Sequence, residues 1–128
     1  MAQPLQFSLN QRTNEPLRVA VPFPWLADQW PLPAGSRFSC DIRSARGDPN
    51  ILLHLQSDDS SLIATWDAAN TRVLLAFEAP VDALVGIATP VRLYGDVVLE
   101  RPRPGSPAPR RDVIGDFDMT LIAGFTYD

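Results

Sequence analysis

Val91 to Glu100 reads VRLYGDVVLE, Arg101 to Arg111 reads RPRPGSPAPRR, and Asp112 to Met119 reads DVIGDFDM. In the first segment Val91, Leu93, Gly95, Val97 and Leu99 alternate with Arg92, Tyr94, Asp96, Val98 and Glu100. In the third, Val113, Gly115, Phe117 and Met119 alternate with Asp112, Ile114, Asp116 and Asp118. Period two on both sides of a breaker is the pattern of a long β-hairpin, since strand side chains point to opposite faces in turn. The middle segment cannot lie inside a sheet, because its prolines lack the N–H that a ladder needs. It reads as a Pro/Arg-rich tongue at 101–111.

Working outward, the same alternation recurs in short runs: Leu5 to Asn10, Leu17 to Val21, Phe38 to Ile42, Ile51 to Leu55, Leu62 to Trp66 and Val73 to Phe77. Pro22 and Pro24 are expected to end the second run. Gly35, just before the third, suits a positive φ. The run from Val73 to Phe77 is apolar on both faces, which suits a central strand. The expected core is Phe7, Leu17, Val19, Phe38, Cys40, Ile42, Leu53, Leu55, Val73, Leu75, Phe77, Leu93, Val97, Leu99, Val113 and Phe117. Pro80 to Val85, with a proline start and Gly86 to stop it, is the one helical candidate. About eight short strands, with turn signals every ~8–12 residues, give an all-β protein. The expectation is an antiparallel immunoglobulin-like β-sandwich with at most one short helix; an open barrel is the alternative. The 128 residues make a single domain, with neither an internal repeat nor a second core.

Composition narrows the function. The net charge of −4 argues against a general nucleic-acid binder. All eleven basic residues are arginine, which fits a GC-rich coding genome or arginine-rich interface chemistry. The single cysteine leaves no intrachain disulfide. No apolar run approaches the ~20 residues of a membrane span, and the chain does not open like a signal peptide. The expectation is therefore a protein made in the cytoplasm, with no membrane partner.

Motifs for catalysis are absent. One cysteine, Cys40, and one histidine, His54, are the only members of a possible nucleophile–base pair. Cys40 alternates with Phe38 and Ile42 and reads as a core residue; His54 reads as a surface or structural histidine. One Cys and one His do not make a zinc set. Asp112, Asp116 and Asp118 are expected on one strand face, with Asp96 and Glu100 beside them. That face could hold calcium or be salt-bridged by Arg92, Arg110 or Arg111. Arg46-Gly47-Asp48 matches the integrin tripeptide, a match that short motifs reach by chance. No enzyme activity, cofactor, metal or small-molecule ligand is expected.

Three segments offer large or charged side chains to a partner. They are the loop with Trp25 and Trp30, the tongue with Arg101, Arg103, Arg110 and Arg111, and the tail with Phe125 and Tyr127. The tryptophans plug one end of the sandwich, meet a partner, or stack on a sugar.

Several pieces, in order, resemble a family of small immunoglobulin-like virion proteins of tailed bacteriophages, similar to the N-terminal domain of the baseplate upper protein. The pieces are Leu5 to Asn10, the polar turn Gln11 to Glu15, and Leu17 to Phe23. Then come Pro31 to Gly35, Phe38 to Arg43, Tyr94 to Leu99 and Gly115 to Met119. The chain departs from the pattern in its Leu-Pro-Ala-Gly turn, its longer tongue and its heavier tryptophan loop. The resemblance implies a non-enzymatic virion protein of the tail or baseplate that attaches fibres or receptor-binding proteins. Its partners would be other virion proteins and copies of itself in a symmetric assembly. A head decoration or head-fibre-base protein is one alternative. A carbohydrate-binding sandwich using Trp25 and Trp30 is the other.

Overall fold

The computed structural model describes residues 4–13, 15–23, 26, 30–80, 83–84, 87 and 91–123. The strands are β1 (Leu5–Arg12), β2 (Leu17–Phe23), β3 (Arg37–Arg43), β4 (Leu53–Gln56), β5 (Leu62–Asp67), β6 (Arg72–Ala79), β7 (Val91–Arg101) and β8 (Arg110–Ile122). They form a five-stranded sheet, β1-β8-β7-β3-β4, and a three-stranded sheet, β2-β6-β5. Order β8-β7-β3-β4 facing β2-β6-β5 is the G-F-C-C′ over B-E-D arrangement of the immunoglobulin sandwich.

β6 is the centre of its sheet, as its apolar sequence implies. Its buried side, Val73, Leu75, Phe77 and Ala79, faces the other sheet. An aromatic cluster joins the layers. Phe7 of β1 stacks on Phe117 of β8, with ring centroids 4.8 Å apart, and also meets Phe23 of β2 and Phe77 of β6. Phe23, Phe77 and Phe117 are fully buried, each worth about 1.5–3 kcal/mol relative to an exposed ring.

Four features depart from the sequence reading. First, the sandwich is not wholly antiparallel: β1 runs parallel to β8, from Leu5↔Gly115 to Arg12↔Ile122. The polar turn after β1 carries the chain across to the other sheet. There the Gln11 side-chain amide donates to the carbonyls of Arg12, Glu15 and Pro16. Second, Pro22 does not end β2, which continues to Phe23. β2 is an edge strand, where a missing N–H can face away from the neighbour. Third, Ile51 precedes β4 and is 47% exposed.

The fourth departure lies in the β7–β8 hairpin itself. Val97 pairs with Gly115 but Val98 pairs with Val113, so Ile114 is the extra residue of a β-bulge. The bulge reverses the inside–outside phase of the N-terminal part of β8. Ile114 is 1% exposed and Val113, expected in the core, is 50% exposed.

The expected helix from Pro80 to Val85 falls largely outside the described residues. Of it, Ala83 donates to the Pro80 carbonyl in a turn and Leu84 is buried in the core. Gly35 has the positive φ expected of it, at 89°.

Candidate assembly surface

The strand pairing sets one row of side chains across the outer face of the whole five-stranded sheet. His54, Asp41, Asp96, Asp116 and Gln6 stand opposite one another on β4, β3, β7, β8 and β1. Like charges directly opposite destabilise a sheet. Three neighbouring carboxylates therefore need cations, and three side chains supply them. His54 bonds Asp41, which raises the histidine pKa above its ordinary value. Arg43 sits 3.4 Å from Asp41 and 3.8 Å from Asp96. Arg46, from the β3–β4 loop, pairs with Asp116 and lies over the Tyr94 ring, 4.9 Å from its centroid.

Asp41, Arg43, Arg46, Tyr94, Asp96 and Asp116 border a cleft of about 240 Å³, lined also by Val113 and Gly95. The floor of the cleft is fixed from below. The Phe117 ring fills the space above Gly95, where an added Cβ would meet it at 2.2 Å. Gly115 is tight as well, with Val97 and Phe23 atoms 3.2 Å from a Cβ built there. The adjoining row carries Arg43, Tyr94, Asp118 and Ser8, with the Ser8 hydroxyl donating to Asp118 at 2.6 Å.

The expected carboxylate face is only partly assembled. Asp116 and Asp118 share the outer face with Asp96, but the bulge moves Asp112 to register with buried Leu99. Asp112 is held there by Arg101 at 2.6 Å and Arg110 at 3.0 Å, which keep its carboxyl below the usual carboxylate range. Among the described residues, no three acidic, histidine or cysteine groups are placed to hold a metal ion.

The tongue is less basic than its sequence reads. Arg101 and Arg110 serve Asp112, and Arg111 pairs across the hairpin with Glu100 at 3.2 Å. Arg103 alone of the four projects without an ion pair to a described residue. It begins a turn in which Ser106 N–H donates to the Arg103 carbonyl at 3.1 Å, with Pro104 and Gly105 between them. The φ of +76° at Gly105 makes this a type II geometry that suits Pro-Gly.

Trp30 is half-buried against the core and stacks on Trp66 of β5, 6.3 Å between centroids. That is the plugging arrangement. Beside it runs a cleft of about 360 Å³ lined by Pro31, Leu32, Phe38, Ile63 and others. Trp25, Phe125 and Tyr127 lie outside the described residues. Cys40 points into the core at 1% exposure, and burial pushes its thiol pKa up. His54 is bonded to Asp41 on the outer face of the sheet, opposite to the face that buries Cys40, so Cys40 and His54 do not form a nucleophile–base pair. In the Arg46-Gly47-Asp48 turn, Asp116 holds Arg46, while Asp48 accepts from Ser44 and Asn50. The tripeptide is tied into the fold at both charged ends.

Asp41, Tyr94, Val113 and Trp66 are residues that the sequence reading did not single out for a site, whereas Asp96 was expected on the carboxylate face and Arg46 in the Arg-Gly-Asp tripeptide. The row of Asp41, Asp96 and Asp116 needs the register between three strands, and the exposure of Val113 needs the bulge. Neither is written in local periodicity.

Fold and surface together define a sandwich of the immunoglobulin class with a polar, ion-paired sheet face and a projecting hairpin. No protein-family model matches the chain, and no curated protein is significantly similar to it.

Proposed function

We propose that the protein is a non-catalytic structural component of a phage virion that works by protein–protein contact. The tail or baseplate is the preferred position, and attachment of fibres or receptor-binding proteins the preferred task. The observation that carries the reading is the investment of chemistry in surfaces. The one cysteine is in the core, the one histidine is salt-bridged on the outer sheet face, and the hairpin extends beyond its sheet as an exposed tongue. The sequence resemblance to small immunoglobulin-like virion proteins points the same way. A head-decoration role would use the same surfaces.

The test is incorporation. Particles are purified through a density gradient, and this protein is quantified against the major capsid protein by mass spectrometry. A fixed stoichiometry supports the reading, and tail-only or head-only fractions separate its two positions. Absence from intact particles overturns it. The sugar-binding alternative is weakened by Trp30, one face of which is already covered by Trp66. Glycan-array binding abolished by Trp30→Ala, in a protein that still folds, would restore it.

A further inference from the structure

We propose that the tongue of one copy docks on the outer face of the five-stranded sheet of a second copy. Arg103 reaches the row of Asp96 and Asp116, and the flanking Pro102 and Pro104 lie against Tyr94 and Val113. The inference deepens the assembly reading above and rests on its expectation of copy-to-copy contact.

The donor is preorganised. Arg103 is exposed and has no ion pair among the described residues, whereas the hairpin uses Arg101, Arg110 and Arg111 internally. Proline on both sides and the closed turn at 103–106 limit the conformations lost on docking. The base of the tongue is braced, since Pro102 comes within 3.1 Å of a Cβ built on Gly35.

The receiving face matches a Pro-Arg-Pro segment in two ways. The Asp96 side chain is 44% exposed, and its one cation among the described residues, Arg43, is 3.8 Å away and shared with Asp41. The row therefore has room for another guanidinium, which can fork between carboxylates. The same cleft is lined by an aromatic ring, Tyr94, one face of which carries Arg46, and by an exposed apolar side chain, Val113. Proline-rich segments dock on aromatic-lined grooves of this kind. The bulge is what turns Val113 outward into the cleft.

A copy cannot serve itself. From Asp96 to Arg101 the β7 strand advances about 17 Å, and the tongue continues past the last ladder pair, Arg101↔Arg110. Tongue and cleft are therefore different patches, and pairing them between copies is heterologous. Repetition closes a ring or extends a filament. One tongue in one cleft is smaller than the ~1,200 Å² of a stable interface, so the contact is weak alone and strengthened by closure. Added salt screens it.

Sedimentation velocity tests the contact on the full chain at low and high salt. The wild type self-associates at low salt and less at high salt. Arg103→Asp and Asp96→Arg each weaken association on the order of tenfold or more. An equal mixture of the two variants regains it, because every tongue then meets a cleft of opposite sign. Arg18→Asp, a charge reversal on exposed β2, leaves association unchanged, and melting curves confirm that all variants fold. A wild type that stays monomeric at low salt overturns the proposal. So does association indifferent to both reversals, or a mixture that fails to recover it. Rescue in the mixture by a protein absent from particles would overturn the virion reading and leave this contact standing. Incorporation into particles without rescue does the reverse.

Discussion

Val113 and Ile114 are adjacent aliphatic residues with opposite fates, and the difference between them is the most local consequence of the bulge. Ile114→Ala is expected to cost about 2–4 kcal/mol, and Val113→Ala within about 0.5 kcal/mol, by chemical denaturation. Equal costs would place the bulge elsewhere. Gly95 makes a second point of the same kind. A methyl there collides with the Phe117 ring, which Phe7 and Phe77 hold in place. Gly95→Ala is expected to destabilise by about 1–3 kcal/mol through overpacking. His54 gives a pH signature. Its pKa is raised in the folded state by Asp41, so its contribution is full below the ordinary histidine value of 6.5. That contribution is lost as pH rises through the folded value. Stability should decline as pH rises above 6.5, and Asp41→Asn should flatten that slope. An NMR titration placing His54 at or below 6.5 would contradict the pair.

At the level of elements, the β7–β8 hairpin was legible because its alternation is long and its breaker is rich in proline. Its register was not. Periodicity assigns faces only while the phase is kept, and one inserted residue at Ile114 moves Val113 and Asp112 to the other side. The parallel pairing of β1 with β8 was hidden for a different reason. It joins the two ends of the chain, and local sequence holds no information about that partner. Pro22 misled because a proline rule for interior strands was applied to an edge strand. The displaced Asp112 ties the hairpin end together through Arg101 and Arg110. Its lowered pKa means its contribution is present above the ordinary aspartate value and lost as pH falls through the folded one. Asp112→Asn should therefore lower the melting temperature at pH 7 and bring it close to the wild type at strongly acid pH. A constant difference across that range would remove the carboxylate from the account of hairpin stability.

The whole molecule is a small sandwich with unlike surfaces. The three-stranded sheet and Trp30 close the core, while the five-stranded sheet presents a charged cleft and the hairpin projects a tongue beyond it. The fold class was readable from the spacing of apolar residues and turns. The candidate surface was readable at the tongue and in the hairpin neighbours Asp96 and Asp116, while Asp41 joins that row only through the register of a third strand. A protein of this form is suited to repetition, each copy offering one patch and receiving another. A cryo-EM map of the proposed assembly examines that idea directly. The expected map shows symmetry-related copies, with the turn at 103–106 of each seated on the outer sheet face of the next. Copies whose tongues end in solvent, with that sheet face uncovered, would contradict it.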